Sequence, residues 1–189
     1  MEQLVGSELQ QLAFTALDRH QRRVATIDPQ RQKIILIQPR DRWLYASGLR
    51  EKRLPGYLCI FAHATPHSVQ GIADGAALAA LVRECGIWHG EPILVDACNA
   101  GAIPQGIASQ LARALATPVT AATTPTWNFP LGGRAVGQGA FAKLPGVLGR
   151  LPIPHLLKPG RWRTWDAQGQ WVEERAHSPR KGSPWFGMV

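Results

Sequence analysis

A histidine and a cysteine carry the chemistry that this 189-residue sequence offers. His63 stands in Phe61-Ala62-His63-Ala64-Thr65-Pro66-His67 and Cys98 in Val95-Asp96-Ala97-Cys98-Asn99-Ala100-Gly101. Each follows a short apolar run that reads as a buried strand. In an open α/β sheet reactive groups gather outside the carboxyl ends of the strands, so two neighbouring parallel strands would deliver both residues to one edge. A thiol there is activated by an imidazole that takes its proton, and the N-terminus of a following helix favours the thiolate. Backbone N–H groups at Ala64 and Cys98 would face a developing oxyanion. This is apparatus for acyl transfer from an amide or ester. A buried structural cysteine and a surface histidine are the bland alternative, and the shared strand-end position argues against it.

Other residues could join them. His67 lies on the same loop as His63 and could reach the cleft, but the strand-end position favours His63. Asp96 is two residues from Cys98 and shares its face in a regular strand, where it lines the site or supports a neighbouring loop through hydrogen bonds. Trp127 follows the next strand in Thr124-Pro125-Thr126-Trp127. It either walls a substrate pocket, together with Asp96 and His67, or covers the sheet end. As a wall, the indole predicts an uncharged residue before the cut bond. His89 precedes the strand that Cys98 follows, and six residues at ~3.3 Å each put it roughly 20 Å away. Asp74 reads as a helix cap.

The elements that must position these residues follow from periodicity. Leu9, Leu12, Ala13, Ala16 and Leu17 recur at helical spacing after Ser7, which predicts a helix over 7–24. A β-branched run predicts a strand over 33–38, with 42–46 as a second strand beside it. The centre alternates strand 57–62, helix 75–85, strand 92–97, a helix from Pro104, and strand 118–122. Two-sidedly apolar strands joined by crossover helices predict an α/β fold: a mainly parallel sheet with helices on both faces. Beyond Thr123 prolines and glycines predict a loop-rich region. Residues 161–173 alternate around Asp166-Ala167-Gln168-Gly169 and read as a β-hairpin at the sheet edge. The expectation is one domain over 1–175 and a flexible basic tail over 176–189.

Composition narrows the class. Three cysteines are too few and too dispersed for a disulfide framework or a zinc site, and Cys59 and Cys85 read as core residues. No cofactor or metal is expected. The formal charge of +8 is spread over the chain, which fits a solvated surface; no motif supports the sharper reading of polyanion binding. No apolar run approaches the ~20 residues of a membrane span. Met1-Glu2-Gln3-Leu4-Val5 lacks a secretory signal pattern, so synthesis and first residence in the cytoplasm are expected, with export by a route that reads no such signal left open.

The segments around His63 and Cys98 resemble the caspase-like cysteine peptidases. Their hallmark is His-Gly after one core strand, and an acidic or polar residue, then Ala or Ser, then Cys after the next. The match covers about residues 33–124. More narrowly, Gly71-Ile72-Ala73-Asp74-Gly75, Asp96-Ala97-Cys98-Asn99-Ala100-Gly101 and Gly160-Arg161-Trp162 are similar to a domain found at the ends of bacterial polymorphic toxins. The resemblance implies a caspase-like fold and a thiol protease with a Cys98/His63 dyad. It also implies a secreted effector that acts on a protein substrate and is partnered by an immunity protein or adaptor. Ala64 departs from the family's glycine. That departure and the charge motivate an alternative, a catalytically inactive basic interaction module that binds a partner or a polyanion.

Overall fold

Four apolar runs make the centre of the fold, in a computed structural model that describes residues 9–15, 22–128, 134–142, 151–176 and 179. In chain order the elements are β1 (Gln10–Thr15), β2 (Arg22–Asp28), β3 (Lys33–Ile35), α1 (Arg42–Arg50), β4 (Leu58–Phe61), β5 (Ala64–Thr65), β6 (Ser68–Val69), α2 (Gly75–Glu84), β7 (Ile93–Asp96), α3 (Ile107–Leu115), β8 (Val119–Ala122), β9 (Thr126–Asn128), β10 (Arg134–Ala142), β11 (Leu151–Pro159), β12 (Trp162–Trp165) and β13 (Trp171–Arg175). Eight strands form one sheet in the order β1-β2-β3-β4-β7-β8-β12-β13. Smaller sheets are β11-β10-β9 and the hairpin β5-β6. Among the described residues no helix is long and apolar enough to cross a membrane.

The mainly parallel, caspase-like sheet expected from the sequence is not what forms. Only β3/β4, β4/β7 and β7/β8 are parallel, while β1/β2, β2/β3, β8/β12 and β12/β13 are antiparallel. The large sheet is therefore mixed and mostly antiparallel, with three short helices among the described residues. The physical reason lies at its two margins. Parallel neighbours need a crossover, which only the central strands have, and hairpins add antiparallel strands on either side.

Three local expectations fail with it. In place of the helix predicted over 7–24 stand β1 and β2, and residues 7, 8 and 16–21 of that prediction lie outside the described residues. Leu12 and Phe14 pack into the core while Gln11 and Ala13 are exposed, so the operative period there is 2. Residues 42–46 are helical, because Leu44, Tyr45 and Leu49 put one face of α1 on the sheet. The region beyond Thr123 contains β9, β10 and β11, whose antiparallel pairing tolerates their glycines and prolines. The predicted tail lies outside the described residues from 177 onward, apart from Pro179.

Alternation along the central strands divides the core. Ile34, Ile60, Val95 and Ala121 face α2 and α3, whereas Ile35, Phe61, Leu94 and Ala122 face α1. The steps β3→β4, β4→β7 and β7→β8 all move the same way across the sheet, so α1 on the opposite face gives its crossover the opposite hand. At least one of the three departs from the right-handed rule. On the other face α2 and α3 touch closely: a Cβ on Gly75 would lie 2.3 Å from Cβ of Gln110.

Lys33 fixes α1. Its side chain is fully buried, and Nζ donates to the carbonyl oxygens of Gly48 (2.6 Å), Leu49 (3.2 Å) and Glu51 (2.9 Å) at the C-terminal end of the helix. Those carbonyls would otherwise lack helical partners, and the positive charge suits the helix dipole. The buried carboxylate of Asp28 stands 4.0 Å from Nζ. Arg31 Nη1 also reaches Asp28 Oδ2 (3.6 Å) and Leu49 O (2.6 Å), so replacing Lys33 with Met leaves the Gly48 and Glu51 carbonyls without their cation and the buried carboxylate with Arg31 alone. We expect Lys33→Met to lower the unfolding free energy by about 3–5 kcal/mol, measured by urea denaturation.

Cys59 and Cys85 are buried, as core cysteines should be. Burial, helped by Glu84, pushes the Cys85 thiol up from 9.0 to about 12. Between those values the unfolded chain has released a proton that the folded chain keeps. Stability is therefore full below pH 9 and falls as pH rises toward 12. Cys85→Ala should flatten this part of the curve of stability against pH; an equally steep fall in the variant would refute the assignment.

Candidate active site

A crevice opens where neighbouring crossovers leave for opposite faces of a sheet, and the switch here lies between β3, which leads to α1, and β4, which leads to α2. A cleft of about 330 Å³ occupies that point. Gln38, Arg40 and Asp41 line it from the segment after β3, and residues from His63 to Gly71 line it from the segment after β4. Arg23 of β2 closes one wall. Its Nη1 donates to the carbonyl oxygen of Gln70 (2.9 Å), and its buried Nε meets no acceptor among the described residues. Among the described residues of the lining Asp41 is the one acidic side chain beside two arginines, so that part of the lining is net basic.

His63 leaves β4 two residues after Phe61 with its side chain 51% exposed. Its backbone is clamped: His63 N–H donates to Gln70 Oε1 (3.0 Å), and Gln70 N–H donates to His63 O (2.6 Å). The ring Nε2 lies 2.8 Å from Asp41 Oδ2. With Nε2–H given to the carboxylate, the neutral ring keeps Nδ1 as its acceptor.

Asp41 occupies the N-cap of α1, where an aspartate normally accepts a hydrogen bond from the first turn. Its side chain makes no such bond. At the equivalent position of α2, Asp74 does cap, accepting from Ala76 N–H at 3.0 Å. The carboxylate of Asp41 is turned away from its own helix and toward the histidine.

Cys98 leaves β7 at the same level, since Phe61 pairs with Asp96 and each reactive residue lies two positions beyond. The two segments then diverge. Leu36 N–H donates to Phe61 O (2.8 Å) on the β3 side, whereas Asn99 N–H donates to Thr124 O (3.2 Å) and Gly101 N–H to Ala122 O (2.8 Å) on the β8 side. His63 thus stands with Asp41 on its β3 flank and the Cys98 strand on its β7 flank. The sulfur of Cys98 accepts from Thr126 N–H (3.4 Å) and lies 3.6 Å from Thr126 Oγ1. The thiol also donates to the carbonyl oxygen of Thr126 (3.9 Å). The helix expected to start at Pro104 begins at Ile107, nine residues past the cysteine, so the sulfur meets Thr126 rather than a helix N-terminus. That helix end holds the His63 hairpin instead: Ile107 N–H donates to Pro66 O at 3.0 Å.

The remaining predicted residues are distributed around this pair. Ala64 opposes Val69 in the β5-β6 ladder. His63/Gln70 is a bonded pair and such pairs alternate, so the Ala64 N–H points out of the hairpin. Asp96 is buried at the end of β7, on the face that Cys98 continues. His67 is exposed at the hairpin tip, its N–H on Thr65 Oγ1 (3.2 Å), and His89 lies at the opposite end of β7. Trp127 is half-buried, with its indole N–H donating to Gly137 O at 3.0 Å, and neither it, Asp96, His67 nor Cys98 is among the residues that line the cleft, which holds His63. Among the described residues no group of three His, Cys, Asp or Glu side chains is gathered to hold a metal.

Sequence reasoning missed Arg23, Arg40, Asp41 and Thr126. The signal for Asp41 was present: Leu44, Tyr45, Gly48 and Leu49 recur at helical spacing directly after it, which marks an N-cap.

Residues 32–136, more than half of the chain, match a family described as a domain of unknown function (DUF8616). No curated protein and no solved structure matches. The matched span contains Asp41, His63, Cys98 and Thr126. By that match the chain belongs to the DUF8616 family.

Proposed function

We propose that this protein is a thiol hydrolase that cleaves an amide or ester bond in a protein substrate. The reading is carried by Asp41, which forgoes a helix cap worth about 0.5–2 kcal/mol and bonds His63 instead. The bond departs from the cap that an aspartate normally makes at this position, and a histidine that must hold one tautomer needs such a partner.

In this reading Cys98 Sγ attacks the carbonyl carbon while its proton passes to Nδ1 of His63. Asp41 keeps Nε2–H in place and stabilises the imidazolium. The outward N–H of Ala64 is available to the oxyanion. When the carbon–nitrogen bond breaks, His63 returns the proton to the leaving amine and a thioester remains. Water then attacks the thioester, giving its proton to His63; the acid product departs and the thiol is restored. The basic cleft favours a substrate side chain that is acidic rather than uncharged. The biological setting proposed with it, a bacterial toxin effector, draws on the resemblance alone.

A second reading, a binding module without turnover, draws on one observation: the side chains of His63 and Cys98 bond to Asp41 and Thr126 rather than to each other. Active-site bonds often tighten only with substrate, which is why turnover is preferred.

One set of peptide acyloxymethyl ketones, differing in Glu, Leu or Arg beside the warhead, tests both. Cys98 should be labelled, His63→Ala should slow labelling by roughly 10²-fold or more, and Asp41→Asn should slow it by about tenfold. No Cys98 labelling by any member, or full labelling in His63→Ala, would end the hydrolase reading. The Glu peptide should react fastest, and the advantage should vanish in Arg23→Gln; a preference for Arg would sink the charge argument while sparing the dyad.

A further inference from the structure

We propose that Arg163 is a positioning residue for Cys98, and that the β12-β13 hairpin is the clamp on the turn that carries the thiol; this rests on the hydrolase reading above. Arg163 Nη1 donates to the carbonyl oxygens of Gly101 (3.2 Å) and Ala102 (3.3 Å). Its Nε and Nη2 both donate to Glu174 Oε2, at 3.1 and 2.9 Å, and the guanidinium lies 4.3 Å from the centre of the Trp171 ring. The side chain is only 15% exposed. β13 therefore fixes the guanidinium by charge on one edge and by stacking on one face, and the remaining edge grips the turn.

That turn has little freedom of its own to spare. Asn99 adopts φ +57°, a left-handed conformation that asparagine tolerates better than most residues. Ala102 N–H donates to Asn99 O (3.0 Å). Gly101 is pressed on β8 so closely that a Cβ would lie 2.6 Å from the carbonyl oxygen of Ala121. A second grip from the same hairpin follows along the loop, where Trp165 Nε1 donates to Pro104 O at 2.8 Å. Without Arg163 the carbonyls of Gly101 and Ala102 lose their cation, the turn relaxes, and Cys98 slips from the Thr126 N–H that holds its sulfur in place. The planar guanidinium reaches Glu174, Trp171 and the two carbonyls together, whereas a lysine reaches the carbonyls alone.

The test uses the full chain and iodoacetamide, with labelling followed at each cysteine by mass spectrometry. Arg163→Gln should slow alkylation of Cys98 about tenfold while Cys59 and Cys85 stay protected. Arg163→Lys should recover most of the rate, and Glu174→Gln should fall between. An unchanged or raised Cys98 rate in Arg163→Gln overturns the proposal. A loss accompanied by new labelling of Cys59 and Cys85 overturns it equally, because it reports opening of the whole sheet. His63→Ala, run in parallel, separates the two ideas: a slowed Cys98 there beside an unchanged Arg163→Gln removes the clamp and leaves the dyad.

Discussion

A buried ammonium group holds one end of a nine-residue helix, and the geometry at the other end depends on it. Lys33 Nζ collects three carbonyl oxygens at the end of α1 and faces Asp28 across 4.0 Å. An unpaired charge in that position would be intolerable, so the helix cannot leave the lysine without exposing the charge or stranding it. α1 spans roughly 13 Å at about 1.5 Å per residue. Its anchored C-terminal end therefore determines where Asp41, at the opposite end, meets His63. The same anchorage explains why α1 lies on the face opposite α2 and α3: that face is chosen by a specific polar tie as well as by Leu44, Tyr45 and Leu49 packing on the sheet.

Two aspartates at matching positions illustrate how local stability and chemistry compete. Asp74 satisfies the first turn of α2, as helix energetics dictate. Asp41 leaves the first turn of α1 without side-chain help and commits its carboxylate to the imidazole. The two sites obey the same rule, and the exception marks where the fold gives up local stability for an arrangement that folding alone does not require.

The strands after which His63 and Cys98 emerge, and the helices between them, were legible because each apolar run or stripe was long enough to declare its period. The pairing of Phe61 with Asp96 could be reasoned from strand adjacency alone. What was hidden depended on partners distant in sequence. Residues 10–15 carry a helical apolar spacing that pairing with β2 overrides, and the nature of 42–46 is decided by the face of α1 that meets the sheet. The overall sheet was misjudged for the same reason: hairpins at its margins change the balance of directions without altering the central pattern. Thr126 was invisible as a support for Cys98 because its contribution is a backbone N–H, which no side-chain pattern reports.

The contact between Arg163 and Gly101 joins residues 62 apart in the chain. A chain made from its N-terminus completes β7 and the turn that follows long before β12 exists. At ~5–20 residues per second, roughly 60 residues take several seconds to add. During that interval the turn bearing Cys98 can be hydrogen-bonded to its neighbours on the β8 side, yet the guanidinium that grips its carbonyls has not been synthesised. On the proposed reading, nascent protein would thus carry Cys98 on an ungripped turn, and its full reactivity would arrive only with the last strands of the sheet.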